Sequence, residues 1–474
     1  MNLNSFLLMR HELILIAVVL LYLASEIIGG GKNKRFSLNF AVVLFLAVTI
    51  IGFLPISTGT MFGGMYQTSP AIILMKNILN AGAFIVFLQV VSWLKKEEND
   101  NRIMEFFILI VSTLIGMNYM ISAGDFLMFY LGLELATIPM AALAAYQVYN
   151  LKSAEAGIKL LLLAALSSGI MLFGISMLYG ASESLYFTDL IRTMEMNSMT
   201  VLALVFIFSG LAFKISIVPF HFWTADVYEG APMSVTSYMS VISKASAAFV
   251  LMSLLFTVFA QLKEIWTPIL YITSVLTMTL GNLFAIRQRN IKRFMAFSSI
   301  AQAGFIFLGI ISGTQMGMST VIYFLAIYIF SNLAVFGVAG AIYNQTGKEL
   351  IDDYAGLYKT NPALTLVMTF GLFSLAGIPP IAGFFGKFFL FTAAMESGFL
   401  WLTVIAVLNT IISLYYYLLI VKAMYITPNE SPIAFFRSDF YMKMGLILAT
   451  IGILVIGFIG GIHHYIYNLS FGIL

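Results

Sequence analysis

The sequence predicts an all-α polytopic membrane protein with fourteen transmembrane helices, arranged as two inverted five-helix repeats whose helices 7 and 12 are broken. Three observations predict it. The 474 residues are 61% hydrophobic and 9% charged, against about 25% charged in an average soluble domain. A core that apolar would lack the polar surface to cover it. Apolar runs of spanning length, about 20 residues, recur along the whole chain, and the basic residues between them fall mainly on one side.

The composition also excludes other classes. Net charge is +3 with the basic residues scattered, so there is no nucleic-acid face. There is no cysteine, hence no disulfide framework, no thiolate-held cluster and no cysteine-rich zinc site. The four histidines (His11, His221, His463, His464) are too few and scattered for a metal cage or a haem pair. No metal site is expected.

The N-terminal polar stretch leads into a full-length apolar run without a small-residue cleavage site, so it reads as the first helix rather than a removed signal. Spans are expected at about 13–28, 38–55, 71–94, 104–122, 124–149, 156–180, 200–222, 233–260, 266–286, 293–313, 319–344, 363–397, 400–425 and 442–462, with ends uncertain by a few residues. The 363–397 run is too long for one straight helix and contains Gly377-Ile378-Pro379-Pro380, so it should be broken. Pro219 marks a second break in the 200–222 run. The expected organisation is an N-terminal three-helix segment (1–103), repeats at 104–262 and 263–426, and a final helix in 427–474. Loops after odd-numbered spans carry sixteen Lys and Arg residues. The tails and the other loops carry four, counting Lys76 at the edge of span 3. That bias puts both termini on the outer, periplasmic side of a bacterial inner membrane.

Four lysines remain, all within apolar runs: Lys159, Lys214, Lys244 and Lys387. A charge there costs about 2.5–3.5 kcal/mol on insertion scales. Lys159 is one turn from Glu155 and fits an i,i+4 pair at the interface. Lys214 lies nine residues before Trp223 and Lys244 twelve past Pro232, about 13 and 18 Å into their spans. Lys387 follows the break of span 12. Glu134 lies nine residues past Asp125 between two leucines, about 13 Å deep. Structural ion pairing explains any one of these. It does not explain four, since one glutamate cannot neutralise three lysines. Burial disfavours the charged form of a lysine, so such groups, joined by internal water, can accept and release protons in a row.

The breaks support that reading, because freed backbone at membrane depth is tolerated only inside protein or along a wet cavity. Spans 7 and 12 are five apart and therefore antiparallel, which suggests the inverted repeat. An asymmetry stands against it: Lys214 precedes its proline and Lys387 follows its own. His221 fits a packed residue or a relay member. Asp226 and Glu229 fit either proton collection or plain solvation. Gln302 is central and orients water without holding a proton. Gly29-Gly30-Gly31 reads as a loop without a nucleotide fingerprint, and Tyr415-Tyr416-Tyr417 as aromatic packing.

Three motifs carry a family resemblance. Phe213-Lys214-Ile215-Ser216 leads through Val218-Pro219-Phe220-His221-Phe222-Trp223 to Asp226-Val227-Tyr228-Glu229-Gly230-Ala231-Pro232. Asn290-Ile291-Lys292-Arg293 precedes Ala296-Phe297-Ser298-Ser299-Ile300-Ala301-Gln302. Gly377-Ile378-Pro379-Pro380 precedes Gly383-Phe384-Phe385-Gly386-Lys387. Together they resemble the antiporter-like membrane subunits of respiratory complex I, the NADH:quinone oxidoreductase. The chain lacks the lateral helix of the longer L branch and has Lys387 where the M branch usually has glutamate, so it is most similar to the N branch. The resemblance implies a non-redox subunit of a proton-translocating enzyme, in which Glu134 and Lys214 are a coupling pair, Lys244 the central relay and Lys387 the outlet. It implies that NAD, FMN, iron–sulfur clusters and quinone are held by partner subunits, with no cofactor in this chain. The implied partners are other membrane subunits, antiporter-like homologues among them, and the lipid bilayer. Gln302 departs from relatives with histidine there, which leaves the link from Lys244 to Lys387 open. Multi-subunit cation/proton antiporters and membrane-bound hydrogenases share these motifs and are the alternative. A purely structural membrane protein is the third reading, against which the charged row argues.

Overall fold

Polar residues stand where the apolar runs begin, and they start the helices by accepting bonds from first-turn amides. Asn33, Ser69, Asp125, Asn197, Asn290 and Thr314 all do so. The structure is a computed structural model and describes residues 6–29, 33–96 and 102–470. Gly30, Gly31 and Lys32 lie outside the described residues, so the glycine loop and that part of the charge count have no structural counterpart here.

The spans are α1 (Arg10–Gly29), α2 (Lys34–Gly52), α3 (Pro70–Leu94), α4 (Ile103–Ile121), α5 (Phe126–Ala144), α6 (Leu151–Ser182), α7 (Ser198–Ile215), α8 (Met233–Phe256), α9 (Lys263–Ile286), α10 (Ile291–Ser312), α11 (Gln315–Thr346), α12 in two halves (Pro362–Ala376 and Ala382–Glu396), α13 (Leu400–Tyr425) and α14 (Phe440–Phe458). Among the described residues, thirteen are long and apolar enough to cross a membrane unbroken, and the split α12 is the fourteenth. An even number of crossings brings the start of α1 and the end of α14 to one side.

The core lies along α8, α10 and α11, each 94% buried over its most apolar stretch. Spans α1, α2, α6, α13 and α14 keep only a third of theirs inside, and their outward leucines and isoleucines suit a hydrocarbon solvent. Backbones come very close at two helix pairs. A Cβ on Gly116 of α4 would lie 2.4 Å from the Ala136 amide of α5, and one on Gly281 of α9 would lie 2.6 Å from the Ala301 amide of α10. Glycine is what permits this approach, as at many membrane helix contacts.

The structure departs from the expected elements in five places. Lys76 is a buried residue of α3, 1% exposed, rather than an edge-of-loop cation; its ion pair with Glu12 shields it. The α2–α3 connection folds into a two-stranded antiparallel hairpin, Gly59–Met61 against Tyr66–Thr68. The chain also forms a short helix at Phe187–Thr193 and a C-terminal one at Gly461–Ser470. The latter packs on α11, where Gln315 Nε2 donates to the Tyr467 carbonyl at 3.0 Å. Finally, α8 contains a π turn at Met239–Ser243, directly before Lys244. Such turns are rare and recur at functional sites.

Candidate functional site

Both breaks form as expected, and each exposes backbone carbonyls inside the bundle. Span α7 ends at Ser216, which takes a left-handed conformation (φ 68°), and the short helix Phe222–Gly230 follows. Trp223 Nε1 donates to the Phe213 carbonyl at 3.0 Å, which also accepts from the Ser216 amide, and Thr277 Oγ1 accepts from the Val218 amide at 3.1 Å. The first half of α12 ends at Gly377 (φ 85°), whose amide reaches Phe373 and Ser374 and leaves the Leu375 and Ala376 carbonyls open. Glycine is required at this position twice over. The backbone is left-handed, and a Cβ would lie 3.1 Å from Lys387 Cδ.

Lys387 stands on the second half of α12 but reaches back across the break. Its Nζ donates to the Leu375 carbonyl at 2.9 Å and to Ala376 at 3.2 Å, over the Phe305 ring. An ammonium thus caps the negative end of the first half-helix. Lys214 occupies the last turn of α7. The asymmetry between the two lysines in sequence is therefore lessened in space, since both sit at the C-terminal end of a first half-helix.

Lys214 Nζ donates to Thr137 Oγ1 of α5 at 2.6 Å. Glu134 is one turn earlier on α5, close enough to act on the Lys214 charge, but among the described residues the two form no ion pair. One Glu134 oxygen is buried without a hydrogen-bond partner. The expected coupling pair is held apart here, with Thr137 satisfying the lysine. A cavity of about 10 Å³, lined by Thr137, Lys214, Met239 and Ser243 among others, joins Lys214 to the π turn, room for about one water.

Lys244 follows that turn. Its Nζ donates to Ser299 Oγ of α10 at 2.7 Å and lies 5.5 Å from the Tyr228 ring centre. His221 is buried in the break within range of the Lys244 charge, its Nδ1 unpartnered. Next to Ser299, Ser298 Oγ meets Tyr417 OH of α13 at 2.5 Å. Gln302 Nε2 donates to Tyr417 OH at 3.2 Å and to the Leu375 carbonyl at 3.0 Å. That carbonyl also holds Lys387. Two bonded sets therefore lie in this region, Lys244 with Ser299 on one side and Ser298, Tyr417 and Gln302 leading to the Leu375 carbonyl and Lys387 on the other; among the described residues no hydrogen bond joins Ser299 to Ser298.

At the other end of the row, Lys159 bonds Glu155 at 2.7 Å, the expected i,i+4 pair, and Asp226 at 2.8 Å. Arg293 joins Asp226 and Glu229, each at 2.9 Å. The bond from Lys159, and after it those from Arg293, holds the Asp226 carboxyl below the usual carboxylate range. Asp226 and Glu229 are members of a salt-bridge network.

A family described as NADH:quinone oxidoreductase/Mrp antiporter, TM matches residues 123–413. The NADH-quinone oxidoreductase subunit N of Phocaeicola vulgatus is 52% identical over 471 residues, covering 99% of this chain and all of that one. The chain belongs to the NADH-quinone oxidoreductase subunit N family. Azobacteroides pseudotrichonymphae has another subunit N relative, 48% identical over the full length of both chains. Among solved structures, a chain of respiratory complex I from Thermus thermophilus with bound aureothin aligns with a TM-score of 0.76 at 27% identity, covering 95% of this chain and 97% of that one. A chain of the Mrp complex from a Dietzia species reaches 0.84 at 19% identity over 99% and 96%, a likeness of fold alone.

In this member of the subunit N family, sequence reading passed over several polar groups of the row. Tyr417, expected as aromatic packing, is fully buried with its hydroxyl in the row. The signal was a stripe of Asn409, Ser413 and Tyr417 at i, i+4 and i+8 in an apolar helix. Thr137 and Ser299 gave no comparable signal, since lone hydroxyls are common in membrane helices. Glu12 and Lys76, 64 residues apart, were legible only through their contact.

Proposed function

We propose that this chain is the proton-translocating membrane subunit of an NADH:quinone oxidoreductase, with Glu134, Lys214, Lys244 and Lys387 as the proton relay. The observation that carries the proposal is the polar row through an otherwise apolar bundle. Lys214 rests on Thr137, Lys244 rests on Ser299, and Tyr417 and Gln302 lead on to Lys387. The 52% and 48% identities to subunit N relatives favour this over an antiporter or hydrogenase subunit.

Glu134 and Lys214 act as a switch. When Lys214 turns from Thr137 towards Glu134, a carboxylate within about 4–6 Å keeps it charged. When it turns back, it gives its proton through the small cavity to Lys244. The proton then passes by Ser299, Tyr417 and Gln302 to Lys387, the outlet. His221 lies beside Lys244 and is a secondary member. NADH oxidation and quinone reduction belong to partner subunits, which hold NAD, FMN, iron–sulfur clusters and quinone. The partners are the other membrane subunits, antiporter-like homologues among them, and the membrane is the bacterial inner membrane with both termini periplasmic. The chain divides into an N-terminal segment (1–103), inverted repeats (104–262 and 263–426) and a C-terminal helix (427–474). The matched glycine contacts of α4–α5 and α9–α10 support that division.

Variants of the assembled, reconstituted complex test the relay, charge-preserving at Lys214 and Glu134 and charge-removing at Lys244. Lys214→Arg keeps the charge but cannot give up its proton, so the complex assembles and loses coupled pumping. Glu134→Asp retains part of it. Lys244→Met behaves like Lys214→Arg. Near-normal pumping by Lys214→Arg would identify that lysine as a structural charge.

A further inference from the structure

A second buried ionic cluster stands outside the relay, near the ends of α1 and α3 that lie on the side of the termini. Lys76 Nζ is 2.5 Å from Glu12 Oε1, and the two are 1% and 0% exposed. Tyr66 OH lies 3.0 Å from Glu12 Oε2 and 3.1 Å from Lys76 Nζ, with the Leu8 carbonyl also in reach at 3.1 Å. His11, bonded through Nε2 to Asn77 Oδ1 at 3.0 Å, feels the charges of Lys76, Glu12 and Arg10. Arg10 itself is tied to the Gly52, Leu54 and Pro55 carbonyls, and Tyr119 of α4 completes the charged and titratable surroundings.

The cluster connects inward. One turn deeper on α3, Asn80 is fully buried and neither of its amide atoms has a protein partner. Two residues further, a Cβ on Gly82 would lie 2.6 Å from Ile242 and 2.7 Å from Ile329. At this level, therefore, α3 lies directly against the π turn that precedes Lys244. Asn118 of α4 is likewise buried with both amide atoms unpartnered. Unpaired buried amides are costly and call for an explanation such as internal water.

We propose that Glu12 and Lys76, assisted by Tyr66, form a proton-exchange station through which protons leave the relay towards the side of the termini. The station rests on the relay reading and adds a branch that runs out through α3 and α1. A proton passes from the Lys76 ammonium to the Glu12 carboxylate, so an N–H bond breaks, an O–H bond forms and the net charge is unchanged. The acid gives that proton to water at the outer end of α1. The amine takes the next proton from the relay side through water held by Asn80, and the ion pair is restored. A purely structural pair makes a different forecast, because replacing both members of a buried pair by apolar residues of similar volume is often neutral or stabilising.

Two variants of the reconstituted, assembled complex decide, with proton delivery measured per NADH oxidised. Glu12→Leu/Lys76→Met and Lys76→Arg both assemble, oxidise NADH and lose proton delivery. Normal delivery by either one overturns the proposal, and so does failure of both to assemble, which marks the pair as a structural staple. If only the double variant fails to assemble, Lys76→Arg decides alone. Lys244→Met is the control for the relay. Should it deliver protons normally, the relay reading itself fails; should it lose delivery while the Lys76 variants keep theirs, only the station fails.

Discussion

Tyr417→Phe removes one oxygen from the middle of the polar row and little else. The ring keeps its contacts with Phe294 and Tyr416, at 5.9 and 4.6 Å between centres, so packing and assembly persist. What goes is the hydroxyl bonded to Ser298 and Gln302. Two buried bonds at about 1 kcal/mol each amount to about 2 kcal/mol. If that loss falls on the transfer step, the rate through it drops about 30-fold. Gln302 keeps its bond to the Leu375 carbonyl and Lys244 keeps Ser299, so both flanks of the gap stay in place. The assay is proton uptake by proteoliposomes containing the assembled complex, normalised to NADH oxidation, with Tyr416→Phe as a neighbouring control. Tyr416 OH, although beside Tyr417, commits its proton to Asn282 Oδ1, so that control retains pumping. Normal coupled pumping by Tyr417→Phe would refute the reasoning and show that the Lys244–Lys387 link bypasses this hydroxyl.

Thr137→Val takes away the acceptor that holds Lys214, worth about 1.5–3 kcal/mol for a bond to a charged group; pumping falls, and Thr137→Ser restores it. Gly383→Ala puts a Cβ 1.6 Å from the Ser374 carbonyl oxygen, an overpacking beyond the usual cost of about 1–3 kcal/mol, so the chain is missing from purified complex, whereas Gly169→Ala, with nothing within 4 Å, assembles normally. The Asp226 carboxyl is held low by Lys159 and then Arg293, so its contribution is present above the ordinary carboxylate value of about 4 and is lost as pH falls through the lowered one. Asp226→Asn therefore costs at most about 1 kcal/mol in this exposed network and leaves the pH profile of pumping between about 6 and 8 unchanged. Tags at either terminus label from the outside and a tag near Arg289 from the cytoplasm; protection of one terminus would show an odd number of crossings.

Much of the fold was legible before any coordinates, because lipid imposes a one-dimensional rule. A spanning helix needs about 20 apolar residues and satisfies its own backbone, so span positions, the even count and the breaks at Pro219 and Pro379-Pro380 follow from local composition. Buried charges are rare in such runs and expensive, which is why Glu134, Lys214, Lys244 and Lys387 stood out individually. Lys159 was legible for a similar reason, its partner Glu155 being one turn away on the same helix.

What the linear chain could not disclose is which side chains meet. Lys76 read as a loop-edge cation because its partner Glu12 is 64 residues away, and Tyr417 read as packing because Ser298 is 119 residues away. Likewise Lys387 seemed on the wrong side of its proline until its long side chain reached back over Gly377. The sequence by itself determined the solvent, the number of crossings and the charges central to the apolar runs, since each depends on a residue's own transfer cost. Only the tertiary structure decided that Lys214 rests on Thr137 and not on Glu134, and that Ser298, Tyr417 and Gln302 lead to the carbonyl that holds Lys387. Those outcomes depend on distances of a few ångströms between helices remote in sequence, where hydrogen bonds either form or do not.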